Sequence, residues 1–246
     1  MLAWIIGFAL LGSLGAIGAA ALFLAFPENV RRFMLPSLVS YATGTLLGAA
    51  FLGMIPAALD RAPAHTVMPA VLAGMVLFFV LEKLVLWRHS HDEPDEMRGS
   101  AGPLILFGDS LHNFVDGVVI AVAFMTSVPL GIATAMAVIA HEIPQEVGEF
   151  AILLDAGYSR TKALLLNSLS ASMTLPGGVL AWFWLAGTRQ AVPYVLALSA
   201  ASFIYIAAAD LIPSLNRQQS AADSLRQFVL LIAGIATIAL FHIGRP

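Results

Sequence analysis

Long apolar runs, separated by short polar connections, cover most of the chain. A helix needs about 20 mostly apolar residues to cross a bilayer, and these runs have that length. Pro27 and Pro36 are expected to bracket the first connection, and the third connection is the most polar. No connection is long enough to separate two domains, so we predict a single transmembrane domain over residues 1–246. We predict an all-α polytopic fold with eight membrane-spanning helices at residues 2–25, 37–58, 67–87, 102–126, 129–154, 161–186, 191–212 and 223–243.

The composition supports a membrane protein and excludes several other classes. Of the 246 residues, 59% are hydrophobic and only 11% are charged, whereas soluble domains carry about 25% charged residues. The apolar runs are continuous rather than alternating, which disfavours a transmembrane β-barrel. A net charge of −3 without a basic stripe argues against nucleic-acid binding. The absence of cysteine excludes disulfides and thiolate metal sites. The expected surroundings are therefore a lipid bilayer.

The distribution of lysine and arginine predicts the orientation, because connections rich in these residues stay in the cytoplasm. Nine of the twelve lie in or beside the connections after helices 1, 3, 5 and 7. We expect these connections to be cytoplasmic and both termini to be outside. The first run lacks a basic N-terminal region and is longer than a signal-peptide core, so we expect it to be a retained helix. The absence of a targeting peptide favours a bacterial inner (plasma) membrane.

Helix 4 carries an unusual group of polar residues for a membrane span. At about 100° of rotation per residue, with His112 set to zero, Asp116 falls near 40°, Asp109 near 60° and Asn113 near 100°. These four side chains share one face. His112 and Asp116 are four residues apart, so they can meet at one ion.

Helix 5 has a matching polar face. With His141 set to zero, Gln145 falls near 40°, Glu149 near 80°, Glu142 near 100° and Glu146 near 140°. Polar faces of neighbouring membrane helices must meet each other or a water-filled path. We therefore expect helices 4 and 5 to face each other along these residues and to form a central metal site.

The charge at that meeting indicates a cation. Asp116, Glu142 and Glu146 sum to −3 when ionised, and no lysine or arginine lies in residues 102–126 or 129–154 to compensate. Either the carboxyl groups are protonated or cations are bound there. Imidazole with carboxylate and amide oxygen suits Zn²⁺, and also Fe²⁺ or Mn²⁺.

Residues 112–117 and 141–150 resemble the HNxxDG and HExPHExGD patterns of the ZIP (Zrt-, Irt-like protein) family of zinc and iron transporters. Residues 46–52, 78–83 and 167–171 also look similar to the family. The resemblance implies eight helices, a homodimer and external termini. It implies that zinc, or alternatively Fe²⁺, Mn²⁺ or Cd²⁺, moves into the cytoplasm by alternating access. Helices 1, 4, 5 and 6 would move against helices 2, 3, 7 and 8.

The resemblance also implies a binuclear metal site between helices 4 and 5. Asp116 and Glu146 would be shared by the two ions, the two histidines would complete the ligands of the first ion, and Asn113 and Glu142 those of the second. The predicted metal ligands are His112, Asn113, Asp116, His141, Glu142, Gln145 and Glu146.

Several residues depart from the family pattern, including Ala49 and Gly53 in helix 2, where relatives often have aspartate and histidine, and Thr174 in helix 6, where some have glutamate. Gln145 stands where that branch has histidine, and Glu149 replaces aspartate, so the composition of the second metal position is left open. Asp109, Glu149 and Asn167 in helix 6 are further candidate ligands. His89 and His91 in the acidic third connection are a weak version of a histidine-rich metal-binding loop.

Two other functions compete with metal transport, which involves no enzymatic step. An intramembrane zinc metalloprotease is one alternative, because His141, Glu142 and Gln145 fall one histidine short of the H-E-x-x-H motif. A haem-binding electron carrier with His112 and His141 as axial ligands is the other. Several carboxylates lie beside the metal, and this disfavours both the metalloprotease and the haem protein.

Overall fold

The computed structural model describes residues 1–89, 97–215 and 220–241, and these residues form helices joined by short connections. We number the eight long helical segments in chain order. They are α1 (Leu2–Leu24), α2 (Glu28–Leu59), α3 (Ala64–His89), α4 (Met97–Thr126), α5 (Val128–Asp155), α6 (Arg160–Gly187), α7 (Arg189–Leu215) and α8 (Ala221–Leu240). The predicted all-α polytopic fold is confirmed.

Seven of these segments are long and apolar enough to cross a membrane, as judged by length and composition over the described residues. The exception is α5, which is 28 residues long. It carries the polar residues of the predicted site, which lower its hydropathy. The count of eight membrane-spanning helices therefore stays a prediction, although α5 packs alongside α4 and α2.

One predicted boundary is wrong. Helix α2 begins at Glu28, and Pro36 lies inside it rather than at its start. Proline lacks the N–H that would bond the carbonyl group four residues earlier, here that of Arg32. Arg32 is exposed, so its freed carbonyl group is not forced into the protein core. The first connection is consequently only Ala25–Pro27 long.

Most close helix pairs lie within the two groups that the resemblance implies, and α5 of the first group also packs on α2 of the second. Helix α4 packs closely on α6 and α5, and α1 packs on α6, whereas α2 packs on α8 and α3 on α7. Glycines allow the closest crossings. A Cβ atom at Gly117 would lie 2.0 Å from the carbonyl oxygen of Thr174, and one at Gly44 would lie 2.0 Å from that of Leu231. Only glycine fits at these two crossings.

Candidate metal site

Four side chains of α4 and α5 converge on one point. His112 and Asp116 lie one turn apart on α4, and His141 and Glu142 are adjacent on α5. One ligand atom from each of the four lies within 4.8 Å of the others. The helical spacing on α4 and the antiparallel course of the two helices bring the groups together, as the polar faces predict.

The separations between these atoms match those around a tetrahedral ion. Ligand atoms bound at 2.0–2.2 Å to tetrahedral zinc lie about 3.3–3.6 Å from one another. The Nε2 atoms of His112 and His141 are 3.2 Å apart. The Nε2 atom of His141 is 3.2 Å from Asp116 Oδ2 and 3.4 Å from Glu142 Oε1, and that of His112 is 3.3 Å from the same Glu142 oxygen. The His112 Nε2 and Asp116 Oδ2 atoms are farther apart, at 3.9 Å, and every pair among the four residues lies within 4.8 Å.

Backbone contacts orient one of the imidazole rings. The Nδ1 atom of His141 is 3.0 Å from the carbonyl oxygen of Ala137. A carbonyl oxygen only accepts, so Nδ1 carries the proton and the lone pair of Nε2 faces the other three residues. Histidine ligands of metals are commonly oriented in this way. The ring of Phe203 packs edge-on against His141, with centroids 6.0 Å apart.

The four side chains are largely buried, and burial makes unpaired carboxylates energetically costly. Asp116, His141 and Glu142 are each at most 1% exposed, while His112 is partly exposed. Neither oxygen of Asp116 or of Glu142 has a hydrogen-bond donor. Burying a carboxylate oxygen without a partner costs several kcal/mol at the upper end of measured values. A cation bound here would contact one oxygen of each carboxylate and offset the charge of both.

Glu146 lies outside this group of four. Its Oε2 atom accepts a short hydrogen bond from the side-chain amide of Asn167 on α6. The same amide also donates to the backbone carbonyl oxygen of Glu146, at 3.3 Å. The resemblance put Glu146 beside the two histidines. In the structure Glu142 lies there, and its carboxylate faces α4.

Asn113 is held by neighbours on two helices. Its Nδ2 atom donates to Asp109 Oδ1 at 2.9 Å and to the Asp109 carbonyl oxygen at 3.2 Å. Its Oδ1 atom accepts from the Thr174 hydroxyl of α6 at 3.0 Å. All of its polar atoms are therefore bonded within the protein. Thr174 is the partner that sequence reasoning did not assign.

Gln145 joins the two remaining candidates. Its Nε2 atom donates to Asp109 Oδ1 at 3.3 Å and to Glu149 Oε1 at 3.2 Å. The polar faces of α4 and α5 therefore meet along their length, but they divide into separate groups. Only one of these groups contains both histidines.

A cavity of about 720 Å³ reaches the site from one side of the molecule. It is bounded by α2, α3, α4, α5 and α7. Its polar lining includes Glu82, Asp109, His112, Gln145, Glu149 and Asp210. Tyr205 also lines it and donates a short hydrogen bond to Glu82. The sequence analysis gave no role to Asp210 or Tyr205, and it noted Glu82 only as part of the family-like stretch 78–83.

The predicted metal-binding role of the third connection falls mostly outside the described residues. His91 and the acidic residues beside it lie in 90–96. Their contribution to metal binding stays a prediction.

Comparison with known proteins decides the family. Residues 88–242, more than half of the chain, match the ZIP Zinc transporter family. The chain belongs to this family. The chain is also 34% identical to Zinc transporter ZIP13 of Pongo abelii, over 85% of this chain and 67% of that protein. It is 30% identical to Zinc transporter SLC39A7 of Mus musculus, over 94% of this chain and 68% of that protein.

A third relative differs in its described substrate. Metal cation symporter ZIP14 of Mus musculus is 40% identical over 56% of this chain and 29% of its own length. ZIP family members are transporters rather than enzymes, so the chain is a divalent metal transporter and the metalloprotease alternative is not supported.

Proposed function

We propose that this ZIP protein carries zinc across a membrane into the cytoplasm by alternating access, with His112, Asp116, His141 and Glu142 as ligands of the transported ion. The observation that carries the proposal is that these ligand atoms all lie within 4.8 Å of one another, with five of the six separations at 3.2–3.9 Å. The two carboxylates together carry a charge of −2, which balances a divalent ion while the two imidazoles stay neutral. Relatives described as zinc transporters support zinc over Fe²⁺, Mn²⁺ and Cd²⁺.

The structure supports alternating access because the two sides of the site differ. On one side lies the cavity of about 720 Å³. On the other side, residues 119–124 of α4 are 0% exposed, and so are Leu130, Ala133 and Ala137 of α5. An ion at the site therefore has a path to one side and a packed core on the other. Moving the two helix sets against each other would close the cavity and open a path through the side that is packed here.

The cavity lies on the side that we propose to be cytoplasmic. Its lining residues come from the start of α2 and α4 and from the ends of α3, α5 and α7. These helix ends adjoin the connections that hold most of the lysine and arginine, which are retained in the cytoplasm. Both termini would then be outside, and the described conformation would release metal inward.

The remaining features of the proposal come from the family resemblance. We propose one transmembrane domain over residues 1–246, assembled as a homodimer. A second ion would use Asn113 and Glu146 with the shared carboxylates after side-chain rearrangement, since both residues are bonded within the protein here. Residence in a bacterial inner membrane is a further element of the proposal, and the curated relatives named above come from mammals.

Uptake of radioactive zinc into proteoliposomes tests the transport site. Glu142→Gln keeps the size of the side chain but removes the charge, so we expect the uptake rate at low zinc to fall at least about tenfold, the lower range for loss of a metal-site contact. The matched control is Glu28→Gln, the same change at an exposed residue paired with Arg32. Equal uptake by wild type and Glu142→Gln, with normal insertion, would overturn the proposal.

A further inference from the structure

One arginine side chain joins the ends of two helices on the side opposite the cavity. Arg61 follows the last turn of α2, and its Nη1 atom donates to the carbonyl oxygen of Ala57 in that turn at 2.8 Å. Its Nη2 atom donates to the carbonyl oxygen of Thr126, the last residue of α4, at 3.5 Å. The starts of both helices line the cavity, so their ends lie on the side that we propose to be external.

The two carbonyl groups need a donor because each lies in the last turn of its helix, where the backbone supplies no further N–H group. The N–H groups of Arg61 and Ala62 both donate to the carbonyl oxygen of Ala58, and the guanidinium serves Ala57 instead. The end of a helix also carries a partial negative charge, which favours a cation there. Arg61 meets two such ends at once.

This contact crosses between the two helix sets of the transport proposal. Helix α2 belongs to the set α2, α3, α7 and α8, whereas α4 belongs to the set α1, α4, α5 and α6. The hydrogen bond from Tyr205 to Glu82 joins α7 to α3 and stays within one set. The hydrogen bond from Asn167 to Glu146 joins α6 to α5 and stays within the other. The bond from Arg61 to α4 therefore ties parts that must separate during transport.

Apolar packing surrounds the boundary between the sets on this side. Residues 49–54 of α2 pack on α5 and α7, and Ala49 and Ala50 are fully buried. Ala133 and Ala137 of α5 are fully buried as well. Apolar contact excludes water but has no preferred direction, so it does not by itself hold the helix ends in one arrangement. A hydrogen bond from a guanidinium does.

We propose that Arg61 is a positioning residue for transport, a latch that holds the external side closed while the cavity is open. The inference rests on the proposed alternating access. To open the external side, the end of α4 must move away from the end of α2, and the guanidinium must release Thr126. Ser127 alone separates α4 from α5, so the latch restrains both helices that carry the metal ligands.

Cysteine labelling of the full-length protein in right-side-out vesicles tests the latch. Thr134 is fully buried and lies seven residues before His141, so the two share one face of α5. With Thr134→Cys as the single cysteine, Arg61→Met removes both hydrogen bonds and keeps an unbranched side chain. We expect labelling by an impermeant maleimide to become at least about threefold faster, the lower range for loss of a hydrogen bond.

Arg189→Met is the matched control for this change. Arg189 is exposed at the start of α7, which lies on the same side of the protein as Arg61. The substitution removes the same charge from that side without touching α4. We expect it to leave the labelling of Thr134→Cys unchanged.

A reversible cross-link tests the movement itself. In a chain that carries Arg61→Cys and Thr126→Cys, a bifunctional thiol reagent with a cleavable disulfide would tie the end of α2 to that of α4. We expect the cross-link to stop zinc uptake and reduction to restore it. Each single-cysteine variant, treated with the same reagent, should keep its uptake.

The outcomes separate this inference from the transport proposal. Equal labelling with Arg61 and with Arg61→Met, or uptake that continues after cross-linking, would overturn the latch even if Glu142→Gln abolishes uptake. An equal rise in Arg189→Met would also overturn it, because loss of external charge alone would then explain the effect. If Glu142→Gln leaves uptake intact while Arg61→Met exposes Thr134→Cys, the latch stands and the proposed metal ligands fail.

Discussion

Individual residues in the polar interior divide into those with free ligand atoms and those already bonded. Asp116 and Glu142 have no donors on either carboxylate oxygen, whereas Glu146 accepts from Asn167 at Oε2 and has no partner at Oε1. The Nδ2 atom of Asn113 donates to Asp109, and its Oδ1 atom accepts from Thr174. Residue type alone does not separate these two classes. Their hydrogen bonds differ, and this difference supports the proposal that Asp116 and Glu142 bind the ion and that Asn113 supports the site.

The role of Asn167 gives a prediction at this scale. Replacing Asn167 with alanine removes the only amide that reaches the Glu146 side chain among the described contacts. We expect the free energy of unfolding to fall by about 1–3 kcal/mol, the cost of an unsatisfied buried group. Zinc affinity should change less than threefold, because Asn167 is not in the group of four.

Thermal unfolding in detergent and zinc titration of the same sample measure both quantities. A tenfold or greater loss of zinc affinity in Asn167→Ala, with unchanged stability, would instead make Asn167 a metal ligand. Asn167→Gln keeps the amide on a longer side chain and serves as the control for loss of polarity.

Much of the site could be predicted from residue spacing. Rotation of about 100° per residue puts His112 and Asp116 on the face that meets His141, and the structure confirms that meeting. The choice between Glu142 and Glu146 could not be predicted this way. Both lie on the polar face, and their side-chain directions depend on α6, whose Asn167 bonds one of them.

At the scale of whole helices, close crossings fix which pairs stay together. Helices α4 and α6 approach so closely at Gly117 and Gly177 that a Cβ atom at either would lie within 2.1 Å of a backbone oxygen of the other helix. Such a contact leaves no room for sliding. Asp116 is adjacent to Gly117, so this crossing also positions a predicted metal ligand.

The change Gly117→Ala tests that crossing. The new methyl group would meet the carbonyl oxygen of Thr174, which cannot move without its helix. We expect a loss of stability of about 1–3 kcal/mol or more, typical of overpacking, together with reduced zinc uptake. Thermal unfolding and uptake are the measurements.

Gly108→Ala is the matched control, because it is the same change in the same helix at a position with open space around it. We expect its stability to equal or exceed that of wild type, since alanine favours a helix by up to about 1 kcal/mol over glycine. Equal behaviour of the two variants would show that α4 and α6 do not need their close contact.

Helix positions followed from the apolar runs, with one instructive exception. The run predicted at 37–58 was cut short at Pro36, whereas α2 begins at Glu28. Proline and the charged residues near it favour a boundary in sequence. In the folded chain, α2 is held along its length by α8 and α5, and this packing offsets the missing hydrogen bond.

At the scale of the molecule, accessibility differs between the two sides of the site. Ser214 lines the cavity, whereas Thr134 is buried on the opposite side. The natural chain has no cysteine, so single introduced cysteines can be labelled without background. This contrast gives a direct test of the proposed inward-facing conformation.

We expect Ser214→Cys to react with a membrane-impermeant maleimide applied from the side of the lysine- and arginine-rich connections. We expect Thr134→Cys to react from neither side in this conformation, because its environment excludes water. Labelling of right-side-out and inside-out vesicles, read by mass shift, measures both. Reaction of Ser214→Cys only from the opposite side would reverse the proposed orientation.

The polar character of α5 has a consequence for how the protein is made. Isolated acidic residues near the middle of a nascent span oppose its partition from the translocon into lipid by about 2.5–3.5 kcal/mol each, and α5 carries three glutamates between residues 142 and 149. A single residue, Ser127, separates it from α4. Biogenesis should therefore proceed through a hairpin in which α5 enters the bilayer already sheltered by α4. The residues that bind the cargo would make membrane integration itself a cooperative event.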